Sequence, residues 1–389
     1  MFEVTKIYKI SILPGDGIGR DVVPEAIRVL NEVQERVGGF QTELHEFECG
    51  GEYYLREGRE WSAEAEEFTY KEANAILLGA VGATDAQGEN VRLPNGHLAG
   101  YSVVIGLRID LELYANVRPV NLLDGVWSPI KDKTPDEINM IIVRENTEGL
   151  YAQTRDNLEG EDTSETVIDR RVITRNGSER VARYAYELAR LSSGAPSDGK
   201  KRVTCVDKSN LLAGCQLFRN SFNKVGQDYP DIERDYAYVD AWTQWVIRKP
   251  EHYNLVVAPN EFGDIMTDLG AAIQGGLGVA PAGSIGDKHA VFEPVHGSAP
   301  KYHGQHVANP IAAILAMGMM LDWLGSKHGD KNLKLAADMV QTSVAQVLKN
   351  KKIRTRDLCV GEWSDINPSS TEVVTNAIID EIKSGEAGA

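Results

Sequence analysis

A chain of 389 residues has room for two lobes or one large domain, and 42% hydrophobic with 25% charged side chains is the balance of a soluble globular protein. A net charge of -16 opposes binding to nucleic acid or an anionic membrane, and no apolar run is long enough to span a bilayer. The cysteines, Cys49, Cys205, Cys215 and Cys359, lack metal-ligand spacing and read as reduced thiols of a cytoplasmic protein. The first residues, with Glu3 and Lys6, lead straight into a strand and read as no leader.

In chain order, residues 7–13 alternate as a strand, Pro14 to Gly19 make a glycine turn, and residues 21–37 have helical periodicity. The glycines are spaced differently from the Rossmann fingerprint, so the turn suits either a plain reversal or close approach of a phosphate or nicotinamide to the backbone. A helix over 63–75, a buried parallel strand over 75–82, a loop over 83–99 and a helix over 101–113 carrying Arg108 follow. Strands near 117–120 and 138–143 place Arg118, Arg144 and Tyr151 at or just past their ends. Residues 154–176, charged with β-branched residues interleaved, suit a protruding hairpin arm. Helix 178–192, strand 202–206, helix 210–225, strand 236–240, strand 255–258 and helix 262–274 come next, then Gly275 to Gly278 and helices at 308–325, 332–348 and 370–384. The alternation predicts an α/β fold with a largely parallel sheet.

The segment from Asn260 to Asp268 carries the clearest chemistry. Asp264 and Asp268 are four apart on a predicted helix, so both carboxylates project from one face. A hard divalent cation suits such a pair, and acids that merely favour the helix N-terminus are the plainer alternative. Arg108, Arg118 and Arg144, each near an element end, suit a di- or tricarboxylate through bidentate pairing. Lys208, just past a strand, could act as a base beside a metal, and Tyr151 could donate a proton; taken singly, either could be scaffold.

Together these stretches resemble the β-decarboxylating dehydrogenase family, which includes the isopropylmalate, isocitrate, homoisocitrate and tartrate/D-malate dehydrogenases. The matching segments are Leu13 to Gly19, Leu113 to Pro119, Val143 to Tyr151, Val206 to Asn210, Tyr238 to Ala241, Asn260 to Asp268 and Phe292 to Pro300. They run in family order over nearly the whole chain. The resemblance implies a two-lobed α/β fold that is not Rossmann. Its first domain is discontinuous (1–113 plus 276–389), and a second domain (114–275) carries the arm and the dimer contact. It implies a homodimer with shared active sites. Arg108, Arg118 and Arg144 would hold the substrate carboxylates. Asp264 and Asp268, joined by Asp240 from the other subunit, would ligate Mg2+ or Mn2+. Lys208, also from the other subunit, would be the base and Tyr151 the proton donor. Asn210, Glu293, His296, Gly297, Ser298, Ala299, Pro300, Lys301, Tyr302 and Asn309 would bind the nicotinamide cofactor.

Two stretches depart from the commonest family patterns. Before Arg108, where members read the variable group of their substrate, stand Tyr101, Ser102, Val104 and Ile105. The apolar pair Val104 and Ile105 disfavours a third carboxylate, because a buried unpaired charge is costly. An isopropylmalate-like 2-hydroxy diacid is the first expectation, with isocitrate, homoisocitrate, D-malate and tartrate as alternatives. Lys301 and Tyr302 form the pair found in NADP-type isocitrate enzymes and favour NADP over NAD. The usual downstream tyrosine anchor is missing, with Arg354 or Arg356 as candidates to replace part of it. A catalytically silent subunit would lack Tyr151, Lys208 or an aspartate ligand, and this chain keeps them all.

Overall fold

The computed structural model describes residues 6–152, 161–162, 165–349 and 352–385. Ten strands form one sheet: β1 (Lys6–Gly15), β2 (Phe40–Glu46), β3 (Ala75–Ala80), β4 (Ala115–Asn121), β5 (Asn139–Glu145), β8 (Arg202–Asp207), β9 (Glu233–Tyr238), β10 (Leu255–Ala258), β11 (Pro281–Ile285) and β12 (Ala290–Pro294). Their order is β2-β1-β3-β12-β11-β4-β5-β10-β8-β9. Each wing is parallel, and the pairs β12–β11, β11–β4 and β4–β5 in the middle are antiparallel. Residues 6–113 and 276–385 supply the strands from β2 to β11, and residues 114–275 supply those from β4 to β9. This is the two-winged α/β fold expected, and not a Rossmann sheet.

The parallel strands read as unbroken apolar runs because helices cover both faces. Ala75 to Ala80 and Leu255 to Ala258 are buried at every position. The helix Ile311–His328 is apolar on nearly all sides and packs against β11, β12 and the helix Lys331–Lys349, with Ile314, Met317, Leu321 and Leu324 fully buried. Each such side chain contributes ~1.5–3 kcal/mol on removal from water. No helix among the described residues is long and apolar enough to cross a membrane.

Several expected boundaries need correction. The helix expected over 101–113 is present from Tyr101 but stops at Asp110, and most of it is a π-helical turn, Ser102–Gly106, continued by a short α-helix, Leu107–Asp110. The helix expected from 262 starts at Asn260, with Pro259 before it. The strand expected over 236–240 is Glu233–Tyr238, and Asp240 belongs to an unforeseen helix, Val239–Arg248. Strands β2, β11 and β12 and the helix Gly51–Glu57 were also not anticipated. Of the arm expected over 154–176, residues 154–160, 163 and 164 lie outside the described residues. Within them, β6 (Glu161–Asp162) pairs antiparallel with β7 (Val167–Ile168).

Candidate active site

The antiparallel register of β4 and β5 builds the site. Asn116 lies opposite Arg144 and Arg118 opposite Ile142. Strand alternation therefore puts Asn116, Arg118 and Arg144 on one face, inside their strands rather than beyond the ends. Diagonal cross-strand neighbours sit ~7 Å apart, and two cations at that range repel by about 2 kcal/mol at an effective dielectric near ~20. The structure offsets this repulsion with carboxylates. Arg118 Nη1 donates to Asp268 Oδ1 at 3.0 Å, Arg144 pairs with Asp264, and Arg108 Nη2 donates to Glu293 Oε1 at 3.1 Å. Burial pushes the Arg144 guanidinium down to about 10; the Asp264 carboxylate opposes this, and Arg108 and Arg118 add to it. It remains a cation at neutral pH.

The helix Asn260–Ile273 delivers the two aspartates. Gly263 lets this helix lie directly on β5, since a Cβ there would stand 2.7 Å from Arg144 Cβ. Tyr151, reached by the turn after β5, donates to Asp264 Oδ2 at 3.2 Å and sits with its ring 5.7 Å from the Arg144 guanidinium carbon. Burial first and the Asp264 carboxylate second push its phenol up, so it is protonated at neutral pH. Arg118, Arg144, Tyr151, Asp264 and Asp268 are thus gathered, and Arg108 joins Glu293 on β12.

Lys208 and Asp240 form their own pair at 2.5 Å, beyond the ends of β8 and β9. The Lys208 ammonium holds the Asp240 carboxyl below its usual range. Among the described residues no three His, Cys, Asp or Glu side chains converge on a metal position. What the chain offers is a two-carboxylate half-site at Asp264 and Asp268. Those hard oxygen donors suit Mg2+ or Mn2+ and leave positions for further ligands.

The expected cofactor residues from Glu293 to Tyr302 run from β12 into the loop and 3-10 turn that follow it. Asp16, fully buried in the glycine turn, accepts from the backbone N–H of Gly51, Glu52 and Gly82. Burial raises its pKa against those three bonds. The turn docks on the loop after β12: Ile18 N–H donates to Ser298 O at 2.8 Å, and Gly17, at φ 53°, has no room for a Cβ beneath that carbonyl. Ala299 takes a left-handed conformation, and Pro300–Tyr302 follow as a single 3-10 turn. Lys301 and Tyr302 are exposed, with the ammonium 4.7 Å from the ring centre. His296 Nδ1 lies 3.1 Å from Gly297 O, and burial pushes its pKa down, so the ring is neutral. Asn309 donates to Asp357 Oδ2 at 2.9 Å. Asn210 is elsewhere, in the turn after β8 beside Lys208.

Ser102, Val104 and Ile105 are half-buried on the π-helical turn one step before Arg108. Arg354 is no phosphate anchor: it is fully buried and donates to Gly125 O at 2.8 Å and Leu348 O at 3.3 Å. Arg356 is exposed. Sequence reasoning passed over Asn116, which accepts from Arg118 Nε at 3.0 Å, and Asn260, which accepts from Arg144 Nε at 2.9 Å. Both stood inside the segments singled out, and the signal was an uncharged hydrogen-bonding side chain beside charged ones.

Clustered arginines facing paired aspartates and a phenol, on a two-winged sheet, make an arrangement suited to small polycarboxylates. The chain belongs to the isocitrate/isopropylmalate dehydrogenase family, the β-decarboxylating dehydrogenases, which it matches over residues 9–382. It is 40% identical over 343 residues to the 3-isopropylmalate/3-methylmalate dehydrogenase of Methanocaldococcus jannaschii, covering 88% of this chain and 91% of that one. It is 36% identical over 352 residues to the D-malate dehydrogenase [decarboxylating] of Escherichia coli, with 88% and 92% covered. Among solved structures, isocitrate dehydrogenase from Methylococcus capsulatus superposes with a TM-score of 0.78 at 32% identity, over 97% of this chain and 99% of that one.

Proposed function

We propose that the protein carries out metal-dependent oxidative decarboxylation of a 2-hydroxy diacid resembling 3-isopropylmalate, with hydride transfer to NADP or NAD. The observation that carries this is the meeting of Arg118, Arg144, Tyr151, Asp264 and Asp268 on one sheet face, with Arg108 beside Glu293. D-malate is the second reading, favoured by the E. coli relative. Substrate carboxylates take the outward N–H groups of the arginines, which fixes orientation and supplies positive charge where negative charge moves. Asp264 and Asp268 would hold a divalent cation, which would supply Lewis-acid polarisation at the C2 oxygen, and the residues from Glu293 to Tyr302 would hold the nicotinamide cofactor, which would supply the hydride acceptor. Lys208, as the neutral amine once its own proton has passed to solvent, takes the C2 hydroxyl proton. The bond from C3 to its carboxylate then breaks, CO2 leaves, and the electron pair left on C3 takes the proton of Tyr151. The half-buried Val104 and Ile105 favour an apolar group on C3. Lys301 and Tyr302 favour the 2′-phosphate of NADP.

We further propose two domains, 1–113 plus 276–389 and 114–275, working as a cytoplasmic homodimer. Support comes from the seam between β11 and β4, where the two chain segments meet, and from exposed apolar residues on the second segment: Leu211, Tyr238, Trp245 and Ile265. In the dimer, Lys208 and Asp240 of each subunit complete the other's half-site. Asp264→Asn should abolish turnover while leaving the protein folded, and chelation should do the same to the parent. Full turnover with excess EDTA and verified absence of metal would sink the metal-dependent reading.

A further inference from the structure

We propose that Asn260 is the positioning residue that holds the substrate arginine Arg144 and the proton donor Tyr151 in register. This rests on the dehydrogenase reading above. Asn260 is the first residue of the helix that carries Asp264 and Asp268, and its side chain is almost wholly buried. Both ends of its amide are used: Oδ1 accepts from Arg144 Nε at 2.9 Å, and Nδ2 donates to the carbonyl of Glu148 at 2.8 Å. Glu148 lies three residues before Tyr151, in the turn that carries the chain from β5 to the phenol. One amide therefore ties the end of β5, the turn and the helix together.

Packing shows that this turn rests on Asn260 rather than merely passing it. Gly149 has φ +81°, and a Cβ there would stand 2.5 Å from Glu261 Oε2 and 3.1 Å from Asn260 Cβ. Glu145, also buried, fixes the other side of the turn by accepting from the N–H groups of Thr147 and Glu148. Tyr151 then reaches Asp264, one helical turn beyond Asn260.

The choice of a neutral amide has a chemical reason. Arg144 is gripped at Nε by Asn260 and at Nη1 by Asp264. Asp264 is also a metal ligand in the proposed reaction, so its hold on the guanidinium weakens when its carboxylate is shared. Asn260 carries no charge to be shared. It keeps Nε fixed and leaves Nη2 of the guanidinium for a carboxylate. An aspartate at 260 would keep the acceptor for Arg144 but would face the Glu148 carbonyl with a second acceptor. An alanine would lose both bonds.

Two substitutions separate the two arms. Asn260→Asp should lower kcat at least tenfold while KM for the diacid stays within about threefold, because the arginine arm survives and the tyrosine arm does not. Asn260→Ala should lower kcat and also raise KM about tenfold or more. Amide exchange over residues 146–152, followed by mass spectrometry on the full-length protein, should quicken in both variants. Exchange over the remote helix Ile311–His328 should not change. A merely structural role would not split kcat from KM. Equal kcat losses with equal KM rises in both variants, or parent values in Asn260→Ala, would overturn the proposal. A parent that turns over none of the diacids would refute the dehydrogenase reading. In that case unchanged exchange over 146–152 would overturn the positioning role, and faster exchange there would support it.

Discussion

Replacing Gly263 by alanine should weaken substrate handling, although alanine is the better helix former. In a helix interior that exchange gains ~0.8–1.0 kcal/mol from propensity alone. Here the added methyl would lie 2.7 Å from Arg144 Cβ, 2.8 Å from its Cγ and 3.1 Å from its Cα. Carbon atoms in ordinary contact stand ~3.5–4.0 Å apart, so helix and strand must part by roughly 0.8 Å or more. No rotamer change relieves the clash, since Cα and Cβ move with the backbone. Forcing a methyl into such a contact costs ~1–3 kcal/mol, which outweighs the propensity gain. The displaced groups are Arg144 and the aspartates on the helix, and a misplacement of about 1 Å can cost on the order of a hundredfold in rate. The assay is kcat/KM for the best diacid together with the unfolding temperature. We expect a fall of roughly ten- to a hundredfold in kcat/KM and a lower unfolding temperature. A more stable variant with unchanged KM would refute the close seating of the helix on Arg144.

Other predictions follow from the same contacts. Burial pushes the Glu145 carboxyl from 4.5 up to about 7, against its hydrogen bonds from Thr147 and helped by the Glu148 carboxylate. The folded state therefore holds this proton more tightly than the unfolded chain. The associated stability is present in full below about pH 4.5 and is lost as pH rises toward 7, amounting to roughly 3 kcal/mol at ~1.4 kcal/mol per tenfold in affinity. Glu145→Gln should flatten that part of the unfolding free energy against pH, and an unaltered slope would contradict it. Mixing Lys208→Met with Tyr151→Phe, each inactive alone, should restore some activity once subunits exchange; no recovery despite exchange verified by mass would count against shared sites. Lys301→Asp should shift the NADP/NAD ratio of kcat/KM toward NAD by about tenfold or more, since a charge-assisted bond to phosphate contributes ~1.5–3 kcal/mol. A parent that prefers NAD and a mutant that does not shift would make Lys301 a surface residue only.

The legible parts of the fold were those whose periodicity matches their environment. Ala75 to Ala80 is an apolar run because it is buried on both faces, and the helix Thr371–Ser384 has its capping Ser370 directly before it. The strand Pro281–Ile285 carries a proline and a glycine and so shows no strand signal in its sequence, and its pairing with β4 and β12 is what makes it a strand. The π-helical turn at Ser102–Gly106 is a change of hydrogen-bond partner, which residue identity does not reveal. Arg354 misled for a related reason. A charged side chain suggests an exposed anchor, yet backbone carbonyls at Gly125 and Leu348 take its Nη1 and Nη2 in the interior. At the site, the arginines, aspartates and tyrosine were legible as residue types in family order. Their pairings were not, because Arg118 and Asp268, or Arg144 and Asn260, are separated by more than a hundred residues. Only the β4–β5 register and the seating of one helix bring them together.

The central claim is tested most directly by the coupling of reduction to CO2 release. The purified protein, with Mg2+ or Mn2+, would be given isopropylmalate, isocitrate, homoisocitrate, D-malate and tartrate, each with NADP and with NAD. Reduced cofactor and CO2 would be measured together. The account predicts one CO2 for each reduced cofactor, the highest kcat/KM with isopropylmalate or a related diacid bearing an apolar group on C3, and loss of both products on chelation. Reduction without CO2, or no reduction with any of the five acids, would contradict it.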